Sequence, residues 1–258
     1  MLRTIRHSWF ITLRNLRRFI RQPAWVAITL IQPMIWLLLF GALFKRVVEI
    51  PGFKGGSYIE FLTPGVIIMT AISSAGWNGM AFIDDMRSGV MDRLLVSPVW
   101  RSALNVGSLV YGMLTTVVQS LIIVAVGLVA GAHFPNGAGG VAILITAACL
   151  LSAGFGALSN ALALVVRQEE TLIAAVTSTL LPLTFLSSAF MQPNLVPSWI
   201  RQVSRFNPVN WAAQAGRSAA IGPADWSLIG ERIGLLAGVL LVASSLATRA
   251  FSSYQRSL

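Results

Sequence analysis

The chain is short of charge, cysteine, lysine and histidine, and each shortage closes off a class of chemistry. Charged residues make up 11% of its 258 positions, against about 25% in ordinary soluble domains. The single cysteine, Cys149, excludes an internal disulfide and a cysteine metal cluster. Inside an apolar run it reads as a small buried filler. Of the two lysines, Lys45 and Lys54, neither completes the G-x-x-x-x-G-K-[ST] pattern whose amides and lysine hold phosphates, so the chain has no P-loop. The two histidines, His7 and His133, fall on opposite sides of the membrane in the topology below, so neither can serve a serine nucleophile on the other side. No Asp or Glu lies in the interior of an apolar stretch, which removes paired-carboxylate catalysis and a carboxylate proton relay. An enzyme is not expected.

What is abundant is apolar sequence. Hydrophobic residues are 55% of the chain and the mean hydropathy is +0.74. Six runs are candidate spans: Ala24–Phe44, Phe61–Ile83, Leu104–Gly131, Val141–Val166, Thr171–Phe190 and Leu228–Thr248. About 20 helical residues cross a hydrocarbon core of roughly 30 Å. The expected fold is an all-α membrane protein of six transmembrane helices, forming one domain over residues 1–258. The first apolar run starts late and is too long for the h-region of a cleaved signal. The net charge of +10 comes from basic residues gathered at span ends, where membrane lipid and not nucleic acid is the nearer partner. With the N-terminus inside, twelve Lys and Arg fall on the inner side and seven on the outer. This bias and the even span count put both termini in the cytoplasm, in a multi-pass protein of the cytoplasmic membrane.

Three connecting regions stand out. In residues 1–23, Leu2, Ile5, Trp9, Leu13, Leu16 and Ile20 share one helical stripe, beside a face of six arginines. That pattern suits an amphipathic helix lying in the membrane interface. Residues 84–101 carry three acids and three arginines between spans two and three. Asp84 and Asp85 end span two. Met91, Leu94 and Leu95 form an apolar patch at helical spacing, with Asp92 and Arg93 beside it. Gly89 permits a sharp turn and Pro98 stops the helix. A soluble partner could grip that patch, with Arg87, Arg101 and the other charges steering its approach. A second inner connection, Arg167-Gln-Glu-Glu170, suits a minor contact, or acids placed at a helix N-terminus.

The outer region 187–227 is the longest connection and is rich in Pro and Trp. Ser198–Phe206 is amphipathic and Asn207-Pro208 signals a turn. One or two short helices dipping into the membrane are expected, with Trp199, Asn207, Pro208 and Trp211 as outer gate candidates. The turn His133–Gly140 carries no recognisable chemistry. Within the spans Thr70, Ser74 and Asn78 share a face of the second, while Thr177, Thr184 and Ser188 lie near one face of the fifth. Mild hydroxyls and amides among apolar residues suit an amphipathic substrate, or hydrogen bonds between helices. Gly127-x-x-x-Gly131 and Gly234-x-x-x-Gly238 could bring helices close.

Arg87-Ser-Gly-Val-Met-Asp-Arg-Leu-Leu-Val-Ser-Pro-Val-Trp-Arg101, Val196-Pro-Ser-Trp-Ile and Phe206-Asn-Pro-Val-Asn-Trp211 with Arg217 together resemble the membrane subunit of type-2 ABC exporters, most closely daunorubicin-resistance-type permeases. Ser88, Val90 and Asp92 stand where that family often has Glu, Thr and Glu. The resemblance implies that 84–101 is a coupling helix and 187–227 a re-entrant region. It implies a pair of permeases, identical or sister chains, with two copies of a separate ABC ATPase that binds ATP and Mg. It further implies a path between the permeases, lined by spans two and five. The expected function is export of hydrophobic or amphipathic compounds, drug-like or lipid. The alternatives are a glycolipid or polysaccharide exporter and an ATP-independent scaffold that docks a regulator.

Overall fold

Residues 23–49, 57–91, 101–190 and 196–256 are described by the computed structural model. Every regular element among them is helical. Helix α1 is Pro23–Leu43, followed by a 3-10 turn at Lys45–Glu49. Helix α2 is Tyr58–Gly76; one 3-10 turn at Trp77–Gly79 joins it to α3, Met80–Arg87. Then come α4 (Arg101–Val129), α5 (Gly137–Val166), α6 (Glu169–Phe185), α7 (Ser198–Ser204), α8 (Pro208–Ala220) and α9 (Trp226–Arg256). The amphipathic helix expected in residues 2–21 lies outside the described residues.

Among the described residues, four helical stretches are long and apolar enough to cross a membrane: Tyr58–Arg87, Leu104–Val129, Gly137–Val166 and Trp226–Ser252. They match the expected second, third, fourth and sixth spans. The apolar stretch Thr29–Leu43 of α1 is shorter. The helix expected to run to Phe190 stops at Phe185 and has 17 residues, about 25 Å of helix. Residues beyond it turn back as bends, and their backbone groups are met by other side chains.

Helix α5 is the middle of the bundle and packs against α2, α4, α8 and α9. Lipid is as apolar as leucine, so close packing and hydrogen bonds, not exclusion of water, hold such helices together. Small residues give that closeness. A Cβ on Gly140 would stand 2.3 Å from the Ala219 carbonyl oxygen of α8, and one on Gly156 would stand 2.7 Å from Asn78 Nδ2. Buried polar side chains add ties. Thr116 Oγ1 donates to Ser152 Oγ at 3.0 Å, and Asn160 Nδ2 donates to Asn105 Oδ1 at 3.0 Å. Each interhelical bond of this kind is worth about 0.6–2 kcal/mol. The outward faces are apolar: Ile31, Ile35 and Leu39 of α1, and Leu241 and Val242 of α9, are exposed, as lipid-facing residues are.

The two glycine pairs behave differently. Gly127 packs on Thr63, where a Cβ would come within 3.0 Å, whereas Gly131 sits in a left-handed turn with open space around it. Gly234 and Gly238 meet nothing within 4 Å, so that pair brings no helices together inside the chain.

Glycine 140 therefore gives a direct check of packing. Gly140→Leu drives a side chain into the α8 backbone and lowers the thermal unfolding midpoint in detergent, at a cost of about 1–3 kcal/mol. Gly139→Leu, with nothing within 4 Å, leaves the midpoint where it was.

Candidate functional site

The end of α3 that leads into the charged connector and the segment from Ser187 to Ala220 lie at opposite ends of α6. At the connector end, α3 finishes on a turn that only a glycine accommodates easily. Ser88 N and Oγ both donate to the Asp84 carbonyl, at 3.0 and 2.7 Å, and Gly89 adopts φ +67°. Arg87 Nη1 meets Glu169 Oε2 at 2.5 Å, joining the end of α3 to the first turn of α6. Glu169 also lies at a helix N-terminus, where a carboxylate is favoured. Both side chains are partly exposed, so the pair adds about 0–1 kcal/mol. Its consequence is geometric: it holds the end of α3 beside the start of α6.

Met91 does not join an exposed patch. It is 1% exposed and packs among Phe82, Ile83, Leu104, Leu164, Leu172 and Phe251. Its side chain meets the chain's own α3, α4, α5, α6 and α9. Asp84 and Asp85 are part-buried at the end of α3. Asp92, Arg93, Leu94 and Leu95 lie outside the described residues, and Arg101 opens α4.

The six polar path candidates do not converge in one chain. Thr70 Oγ1 donates back to its own helix at Val66 O, 2.8 Å. Ser74 Oγ donates to Gln119 Oε1 of α4 at 3.0 Å. Asn78 is wedged against the bare Cα atoms of Gly112 and Gly156. On α6, Thr177 is exposed beside Ile173, Ser178, Leu181 and Phe185, whereas Thr184 and, beyond the helix, Ser188 are buried. Ser74 and Asn78 meet neighbouring helices, Thr70 bonds its own, and α6 presents a mixed hydroxyl and apolar face outward.

At the far end, side chains of Asn207 and Asn210 meet the backbone at the end of α6. Asn207 caps α8: its side chain accepts from Val209 N at 2.9 Å, and Pro208 occupies the first turn, where a missing N–H costs nothing. The same side chain donates from Nδ2 to the carbonyls of Leu183 (2.7 Å) and Leu186 (3.0 Å). Asn210 Oδ1 accepts from Ser188 N at 3.1 Å, and its Nδ2 donates to Ser204 O at 2.9 Å. Trp211 Nε1 donates to Arg205 O at 2.6 Å. Trp199 is exposed on α7 and makes no part of this cluster.

Arg217 completes the closure. Its Nε donates to Phe61 O (3.1 Å), Nη2 to Ala189 O (2.6 Å), and Nη1 to Ser188 O. The guanidinium lies 3.7 Å from the centre of the Phe61 ring. Gly65 makes the room, because a Cβ there would stand 2.0 Å from Ala189 O. Around it, Tyr58 Oη donates to Phe190 O at 3.2 Å. Glu60 closes a capping box with Ser57 and accepts from His133 N at 3.2 Å. Asn136 Nδ2 caps the end of α8 at Ala219 O and Gly222 O, at 2.7 and 2.8 Å. The turn 133–140 thus has a structural duty that its composition did not reveal. The signal for Asn210 and Arg217 was available: polar side chains at i+3 and i+10 from Asn207 fall on one helical face.

Replacing Arg217 strands three carbonyls at once. Arg217→Met lowers the thermal midpoint, with about 1–3 kcal/mol lost per unsatisfied group, and speeds proteolysis between residues 186 and 206. Arg217→Lys recovers only part, since one ammonium cannot reach all three. Raising salt to roughly 1 M leaves the wild-type midpoint unchanged, because the partners are dipoles and a ring, and the site is buried from screening ions.

Comparison with known proteins bears on most of the chain. The family model described as ABC-2 type transporter matches residues 6–221. The daunorubicin resistance ABC transporter permease protein DrrB1 of Streptomyces coeruleorubidus is 27% identical over 252 residues, covering 96% of this chain and 85% of its own length. The putative transport permease ycf38 of Porphyra purpurea is 28% identical over 208 residues, covering 80% and 71%. The inner membrane transport permease YadH of Escherichia coli K12 is 25% identical over 231 residues, covering 86% and 88%.

Proposed function

Because the chain belongs to the ABC-2 type transporter family, we propose that it is the membrane half of an ATP-driven exporter. A separate ABC ATPase, in two copies, binds ATP with its Mg and pushes on the connector. The observation that carries this reading is how the connector is anchored. Met91 sits in the core shared by α3, α4, α5, α6 and α9, and Arg87 is tied to Glu169. A push on residues 92–100 is thereby delivered to the ends of both α3 and α6.

Two permease chains, identical or sister, face each other across the path. The exposed face of α6 with Thr177, Ser178, Ile173 and Leu181 forms part of its wall. Hydroxyls spaced among apolar side chains suit hydrophobic or amphipathic cargo, in keeping with the drug-resistance name of one relative. In this account α1 and α6 complete six crossings together with the segments that flank them. The connector end and both termini face the cytoplasm, and residues 2–21 lie in the lipid interface. Helices α7 and α8 re-enter from outside and cover the path.

Isolation in mild detergent tests the assembly: a P-loop ATPase chain is expected in equal ratio with this one, and its absence contradicts the proposal. The ion pair tests the route of force. Arg87→Glu and Glu169→Arg each lower substrate-stimulated ATP hydrolysis several-fold, and the double exchange restores it. Folding is unaffected throughout, since an exposed pair adds no more than about 1 kcal/mol.

A further inference from the structure

The second long helix is not continuous, and another helix fills the gap. In an unbroken α-helix Gly79 N–H would bond Ala75 and Met80 N–H would bond Gly76. Here Gly79 N donates to Ser159 Oγ of α5 at 3.0 Å, and the same hydroxyl donates to Gly76 O at 2.5 Å. Met80 N turns to Trp77 O. One serine on a neighbouring helix therefore supplies a rung that α2 and α3 do not make themselves. The approach is close enough that a Cβ on Gly79 would stand 2.4 Å from the Ser159 carbonyl oxygen.

The break also carries an unmet group. Asn78 Nδ2 is buried and has no hydrogen-bond partner. The amide is held in a crevice made by Gly112 and Gly156. On either side of the break the chain is clamped: α2 by Arg217 at Phe61, α3 by Arg87 at Glu169. A joint with a borrowed rung and an orphan amide lies between two fixed ends.

We infer that Ser159 is a positioning residue that holds this joint in one of two discrete windings, and that movement of the connector releases it. The inference rests on the proposed role of the connector as the place where force enters. In the second winding α2 and α3 form one regular α-helix. Gly79 and Met80 recover their own rungs, and Ser159 bonds back to Phe155 O, four residues earlier. The backbone rungs and the Ser159 hydroxyl thus have partners in both windings, as a bistable element requires. Three residues at 3.0 per turn are wound further than three at 3.6 per turn. Straightening therefore rotates α3 against α2 by about 60° and shortens the rise by about 1.5 Å. That rotation takes Asn78 out of its crevice.

Pulsed electron resonance on the purified chain in nanodiscs reads the winding. Nitroxides are placed at Ala81→Cys and Leu246→Cys, both exposed positions, with Cys149→Ala as background. The unaltered joint is expected to give one main distance without nucleotide. Ser159→Ala, which strands Gly79 N–H and Gly76 O only in the broken winding, moves most of the distribution to a second distance several ångströms away. Gly79→Ala, which drives α5 off the joint, moves it to the same place. ATP-bound partner ATPase populates that distance with Ser159 intact. An unshifted distribution in the folded variants overturns the inference. Should both variants fail to fold, an identical distance with and without ATP-bound partner overturns it equally. The exporter reading would survive that result, since it stands or falls on the co-isolated ATPase.

Discussion

A helix that stops inside an apolar bundle leaves carbonyls that no water can meet, and much of this architecture follows from that constraint. Helix α6 ends at Phe185, about 25 Å from its start and short of a core of roughly 30 Å. Backbone at that depth is tolerated only where protein satisfies it. Asn207 takes the carbonyls of Leu183 and Leu186, Asn210 takes the Ser188 N–H, and Arg217 takes Ser188, Ala189 and Phe61. These are three side chains from one short segment. Their positions fix α8, which fixes the contact between Gly140 and Ala219 and hence the register of α8 against α5.

An arginine used in this way differs from one in a salt bridge. A guanidinium has five N–H groups in a planar fork, so one residue can gather carbonyls from two separate stretches of chain. The desolvation of its charge is offset by dipoles and the Phe61 ring in place of a carboxylate. The result links the start of α2 to the end of α6 through neutral partners. At the other end of α6, where it meets α3, the link is ionic, exposed and weak. The far end is thus held by several buried bonds, and the connector end by one exposed ion pair.

Much of this was legible in the sequence, for reasons that differ by residue. Long apolar runs gave four helices directly, because length and hydropathy alone decide them. The turns at Gly89 and at Asn207-Pro208 followed from backbone preferences that need no tertiary knowledge. The fifth helix was read five residues too long, because Ser187–Phe190 is apolar enough to continue it; only the donors 20 to 30 residues later make stopping cheaper than continuing. Met91 was read as outward-facing because periodicity gives a face but not which neighbour covers it. Ser159 and Asn136 carried no local signal at all. Their roles depend on which helices become neighbours, which the sequence does not state.

By the function proposed, this chain moves cargo only when another protein's ATP hydrolysis is delivered through its connector. Export of a fluorescent amphipathic compound from proteoliposomes holding the chain and its co-isolated ATPase, followed together with phosphate release, tests it most directly. The predicted result is export that requires ATP and falls with hydrolysis uncoupled when Asp92 and Arg93 are reversed in charge. Export that continues without ATP, or full coupling after that reversal, would contradict it.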